Sequence, residues 1–148
     1  MDFRSLTSED IEVASRLIES VSDVFSRRDF SEKGYKNFKE NVLDNGMRKN
    51  MDEGFAYWGA FESDTLVGLI AIKKPNHLFN LFVHQDYHHK GIASALWNYM
   101  LSQLQLDTVT VFSSSHAVGL YEALGFQHSG DKISNEEIIC YPMLWSLC

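Results

Sequence analysis

Ile11, Ala14, Ile18 and Val21 recur at helical spacing, with Leu17 and Val24 beside them, and predict a first amphipathic helix. Thr7 or Ser8 can cap it, and Glu9 and Asp10 suit the positive end of its first turn. Ahead of it, residues 2–6 (DFRSL) read as a strand. A second helix is expected after Ser31, carrying Tyr35, Phe38 and Val42 and ending near Asn45-Gly46. The pattern then changes. "GFAYWGAFE" (54–62) and "LVGLIAIKK" (66–74) are rich in aromatic and branched residues, and Ser63-Asp64-Thr65 joins them as the turn of a hairpin. "HLFNLFV" (77–83) is apolar on both faces, which predicts a central, buried strand. Residues 91–104 read as an amphipathic helix with Ile92, Leu96, Met100 and Leu104 in one row and Trp97 and Leu101 beside it. "TVTVF" (108–112) is a strand, 115–124 a short helix stopped by Gly125, and "IICYPMLWSL" (138–147) a final strand, with room for one more short strand from Phe126. The predicted order is β-α-α-β-β-β-α-β-α-β(-β). That is an α/β domain on a mixed sheet flanked by helices.

Composition narrows the setting. A chain of 148 residues with 45% hydrophobic and 13% aromatic content suits a single globular domain, taken as 1–148. Apolar runs such as 66–72 are too short to span a bilayer, so no membrane partner is expected. The first ten residues lack a basic segment followed by an apolar core, so no secretory signal is read there. Cys140 and Cys148 have no metal-like spacing and read as free thiols of a cytoplasmic protein. The net charge of −7 argues against nucleic acid as a partner and is compatible with a cationic one. Nothing in the pattern fixes the oligomeric state, and a homodimer is compatible with it.

The stretch with most chemistry is "VHQDYHHKGIASALW" (83–97). It runs from a buried strand to a helix N-terminus, where unpaired N–H groups and the helix dipole favour an anion. Gly91 lets a phosphate approach the backbone with no Cβ in the way, and Ala93 keeps the approach open. Lys90, His88 and His89 add donors and charge. Neither a dinucleotide G-x-G-x-x-G nor a P-loop is present. No carboxylate or Cys joins His84, His88 and His89 at ligand spacing, so no metal is expected. Taken alone, the stretch is equally an ordinary loop before a helix.

"LFVHQDYHHKGIASALW" resembles motif A of the GNAT superfamily of acyl-CoA-dependent N-acetyltransferases, in which a strand and loop lead into R/Q-x-x-G-x-G/A at a helix start. "SSSHAVGLYEALGF" (113–126) resembles the family's second signature, a Tyr on a short helix before Leu-Gly-Phe. The two lie about 30 residues apart, in order, and the family's element order is similar to the one read above over nearly the whole chain. Two positions depart from it: His88 stands where Arg or Gln is usual, and Phe112 where many relatives have Asn after the fifth strand.

The resemblance implies a GNAT-like fold with acetyl-CoA as co-substrate. It places the pyrophosphate on the amides of residues 89–94, which makes His88, His89, Lys90, Gly91, Ile92, Ala93 and Ser94 the cofactor cradle. It lays the pantetheine arm along Leu81, Phe82 and Val83, with a backbone N–H near Leu81 or Phe82 facing the thioester oxygen. Tyr121 takes the role of general acid toward the leaving thiolate; without the motif it reads as a half-buried aromatic beside Val118 and Leu124. His77 stands where several members place a catalytic Glu. It is the candidate base, or a hydrogen-bonded strand-end histidine. Simple alternation puts Asn80 on the face opposite His77, where it would orient a substrate or satisfy a buried carbonyl. The acceptor region is 24–38, where Phe25, Phe30, Tyr35 and Phe38 mix with Asp29 and Glu32. It suits an amine on a hydrophobic body, or else is helix core with a solvated face. The function expected is N-acetyl transfer to a primary amine of a small molecule. The alternatives are a protein N-terminal or lysine acetyltransferase and a non-catalytic acyl-CoA-binding module.

Overall fold

Thr7 and Asp10 form a reciprocal capping box: Asp10 accepts from the Thr7 N–H at 2.8 Å and Thr7 Oγ1 accepts from the Glu9 N–H at 3.3 Å. In this computed structural model, which describes residues 1–147, the box closes a single 3-10 turn, and the first helix, α1 (Ile11–Phe25), follows it. The reading of Cys148 lies outside the described residues. Ile11, Ala14, Leu17, Ile18 and Val21 are buried as the spacing predicts, whereas Val24 is exposed and Phe25 turns inward instead.

α2 (Glu32–Val42) is capped by Ser31, whose hydroxyl accepts from the Gly34 N–H at 3.0 Å. It does not run to Asn45-Gly46. Leu43 is extended and buried, Asp44 takes φ 49°, and the Asp44 N–H donates to Ser15 Oγ at 2.7 Å. Asn45-Gly46 therefore opens a further helix, α3 (Asn45–Asp52), which buries Met47 and ties back through Asn50 Nδ2 to the Asn41 carbonyl at 3.0 Å. The Met47/Met51 spacing was the one signal for it, too short to stand out as a helical period.

The strands are β1 (Asp2–Ser5), β2 (Ala56–Glu62), β3 (Thr65–Lys73), β4 (His77–Val83), β5 (Thr108–Ser113), β6 (Gln127–His128), β7 (Ile133–Ser134) and β8 (Ile139–Ser146). They form one mixed sheet in the order β1-β2-β3-β4-β5-β8-β6, with β7 against β8. β7 has no counterpart in the sequence reading, because two exposed residues carry no periodicity. α4 (Ile92–Gln103) makes the parallel crossover from β4 to β5, and α5 (Val118–Leu124) ends at Gly125 in the left-handed region.

Two cores cover the two faces of the sheet. On one, Ile70, Ile72 and Leu78 meet Leu96, Trp97 and Met100 of α4. On the other, Leu69 and Ala71 meet Ile18 and Val21 of α1 and Met47 of α3. Each fully buried aliphatic side chain contributes about 1.5–3 kcal/mol, so α1 and α4 clamp the sheet from both sides.

Two features of β4 position the site. Its pairing with β5 spans only His77 with Thr110 and Leu78 with Val111, after which the strands diverge. Against β3 the register slips: Ala71 opposes Asn80 but Ile72 opposes Leu78, so Phe79 is an extra residue in a bulge.

Candidate active site

The bulge at Phe79 corrects the alternation expected for β4. Asn80 pairs with Ala71 and His77 with Lys73, and Ala71 and Lys73 lie two apart on the same face of β3. Asn80 and His77 therefore share one face, and both line a cavity of about 390 Å³ in the gap between β4 and β5. Tyr121 reaches the same cavity from α5 on the other side of the sheet. Phe30, Phe38 and Phe79 form much of the apolar wall.

His77 is half-buried. Its Nδ1 lies 2.8 Å from Thr110 Oγ1, and its ring packs at 5.0 Å, centroid to centroid, against Phe112. Burial, with help from the Lys73 charge, pulls its pKa below the usual histidine value. When Nδ1–H donates to Thr110, Nε2 is left bare. Tyr121 is 5% exposed and meets Phe126 edge-on at 5.3 Å. Burial pushes its phenol pKa well up, so it is protonated throughout the physiological range. Asn80 is 4% exposed; its Nδ2–H donates to the Phe79 carbonyl at 2.8 Å, while its buried Oδ1 has no hydrogen-bond partner.

Asp29 also lines this cavity and is 7% exposed. It accepts from the Ser115 N–H at 2.8 Å and the Ser115 hydroxyl at 2.7 Å, tying the turn after α1 to the loop before α5. Glu32 is exposed at the start of α2 and takes no part. Tyr35 belongs to the core, with its hydroxyl on Ser22 and Asp23 and its pKa raised to about 12 by burial. Glu137, absent from the sequence reading, lines the cavity because α2 lies tight against its backbone: a Cβ at Gly34 would stand 2.0 Å from the Glu137 carbonyl oxygen.

A second cleft, of about 460 Å³, continues from the first along β4 to α4. Leu81, Phe82, Val83, His88, His89, Gly91, Ile92, Ala93 and Ser94 all line it, so the sequence-predicted cradle comes together apart from Lys90. Lys90 is exposed, with Nζ 5.3 Å from the Tyr87 ring centroid. Gly91 has φ 77°, and a Cβ there would have no heavy atom within 4 Å beyond its chain neighbours. The first α4 bond runs from the Ala95 N–H to the Gly91 carbonyl at 3.0 Å, so the N–H groups of Ile92, Ala93 and Ser94 precede the intrahelical ladder. An open cradle with free donors fits a phosphate group. Phe25, expected at the acceptor site, lines this cleft instead, packed between His88 at 5.1 Å and His116 at 4.4 Å. Phe30 and Asn80 line the first cavity.

Residues 26–147 match the family model described as an acetyltransferase (GNAT) domain. The chain belongs to the GNAT acetyltransferase family. Its fold is similar to that of a GCN5-related N-acetyltransferase from Rhodopseudomonas palustris (TM-score 0.83, 20% identity, 99% of this chain and 95% of that one). It is similar also to the PaiA N-acetyltransferase of Thermoplasma acidophilum in complex with coenzyme A (TM-score 0.72, 20% identity, 98% of each chain). Human N-acetyltransferase 8 is 30% identical over an alignment 98 residues long that covers 55% of this chain but only 42% of that protein.

Within this GNAT domain the two departures from the family pattern have structural roles. His88 Nε2–H donates to the Val83 carbonyl at 2.8 Å, so the ring ties the loop to the end of β4 and that N–H is not available to a phosphate. Phe112 is exposed and shields one side of His77. Among the described residues no group of three His, Cys, Asp or Glu side chains is placed to hold a metal ion, and no helix is long and apolar enough to cross a membrane.

Proposed function

We propose that the chain transfers an acetyl group from acetyl-CoA to the primary amine of a small molecule by direct attack. The observation that carries this reading is the meeting of the two clefts: Leu81 and Phe82 line both, where β4 has left β5. Two reactants held one in each cleft would face each other there without a covalent enzyme intermediate.

Acetyl-CoA supplies an acyl group activated as a thioester. The free N–H groups of residues 92–94 and the space at Gly91 suit its pyrophosphate, and the edge of residues 81–83, which β5 has left and on which His88 takes the Val83 carbonyl, offers its remaining backbone groups to an amide-bearing arm. A donor N–H on that edge would stabilise charge developing on the acyl oxygen. The amine must lose a proton and the departing sulfur must gain one. His77, held neutral near pH 7 by burial, takes the first at Nε2, directly or through water. Tyr121 gives the second from its hydroxyl. Burial raises the phenol pKa, so the hydroxyl holds its proton until the departing sulfur takes it.

The test is thiol release from acetyl-CoA with a panel of primary amines and peptides. Amine-dependent release is the expected result. CoA binding with no release for any amine would leave a binding module, and release only with peptides would move the substrate to the protein class.

A further inference from the structure

Asn80 lines the acceptor cavity, and its Oδ1, closed over in the unliganded protein, is a buried polar atom with no partner. Asn80 Oδ1 is buried, and its amide is oriented by the 2.8 Å bond from Nδ2–H to the Phe79 carbonyl, which leaves the oxygen free. An unpaired buried acceptor costs about 1–3 kcal/mol, so a site that keeps one is poised for a donor from outside the protein. The charged groups of the cavity are already engaged. Asp29 has both oxygens on Ser115, and Glu137 accepts from Asn37 Nδ2 at 3.1 Å with Lys33 Nζ at 3.8 Å. The remaining wall is largely aromatic and aliphatic.

We infer that Asn80 Oδ1 accepts an N–H of the acceptor, and that the acceptor is a neutral monoamine on an apolar body rather than a polycation. The amine must be neutral to attack, while an alkylamine has a reference pKa of about 10.4. A carboxylate at position 80 would hold the ammonium form and raise that pKa. An amide oxygen grips an N–H without that bias, and the apolar wall lowers the pKa by desolvation. The bulge at Phe79 sets the geometry, since it turns Asn80 onto the face of His77 and brings the gripped nitrogen to the side of the proposed base.

The inference rests on acetyl transfer for its chemistry, but its binding test does not. The probe is 2-phenylethylamine, with spermidine as the polycation. Calorimetry measures 2-phenylethylamine binding to the CoA complex, and thiol release gives KM and kcat, for wild type and Asn80→Leu. The loss of one hydrogen bond predicts binding and KM weaker by roughly three- to tenfold, with kcat within about twofold. CoA affinity is unchanged, and the melting temperature changes little for Asn80→Leu, because removal of the unpaired buried oxygen offsets loss of the Nδ2–H bond to the Phe79 carbonyl. Asn80→Ala, which adds no bulk, carries the same expectation for binding and CoA affinity, with a lower melting temperature from the void it leaves. Asn80-dependent binding without turnover would sink the catalytic reading and keep this one. Equal 2-phenylethylamine binding in wild type and both variants would overturn it. So would a preference for spermidine, or a joint loss of stability and CoA affinity that makes Asn80 a structural residue.

Discussion

Replacing Gly91 separates backbone strain from ligand placement. Its φ of 77° disfavours any L residue, yet a Cβ would enter open space. Gly91→Ala and Gly91→Glu therefore carry the same folding cost. The left-handed conformation costs about 1–2 kcal/mol, partly offset by the stiffer unfolded chain. The net loss of about 1 kcal/mol lowers the melting temperature by roughly 2–4 °C for a domain of this size. CoA affinity should split the two variants. A carboxylate about 5 Å from one phosphate charge costs about 0.8 kcal/mol at ε = 80 and about 3.3 at ε = 20. Glu should then bind CoA between roughly fourfold and two-hundredfold more weakly than Ala, with Ala itself weaker than wild type because its methyl occupies the cradle. Raising the salt should narrow the Glu–Ala gap. Calorimetric CoA titrations at two ionic strengths, with melting curves for all three proteins, read both quantities. Equal CoA affinity in all three would show that the phosphates lie elsewhere.

Tyr121→Phe should lower kcat by roughly 10²–10⁴-fold with CoA affinity nearly intact, the signature of a group acting in the transition state; an unchanged kcat would make Tyr121 a packing residue. His77 must be neutral to accept a proton, and its pKa lies below the usual 6.5, so the rate should rise with pH through an inflection below that value. His77→Ala should lose that limb and lower the rate, and a variant keeping both would return His77 to a structural role. Asp29→Ala leaves the Ser115 N–H and hydroxyl without their carboxylate, at a cost of about 1.5–3 kcal/mol. It should also raise the amine KM by loosening the loop before α5, and a melting temperature equal to wild type would show the tie is slack.

The local rules reach as far as elements and motifs. Helical spacing of Ile11, Ala14, Ile18 and Val21, the cap at Thr7, the glycines at 91 and 125 and the apolar run of β4 each report on a handful of neighbouring residues. Those preferences survive in the fold because burial of the same faces reinforces them. The loop and helix start that line the second cleft were legible for that reason: a glycine at a helix start fixes its own backbone geometry. What the sequence could not carry is how distant segments meet. The break that makes α3 depends on Ser15 reaching Asp44 across 29 residues, and the Asp29–Ser115 tie spans 86. Phe25 falls in the cleft headed by Gly91, where His116 packs against it, and His88 is tied to β4 by the Val83 carbonyl. Above all, the bulge at Phe79 is a property of the pairing between β3 and β4, invisible in β4 alone. One extra residue between paired positions reverses the face of every side chain beyond it, and so the tertiary pairing alone brought Asn80 to the side of His77.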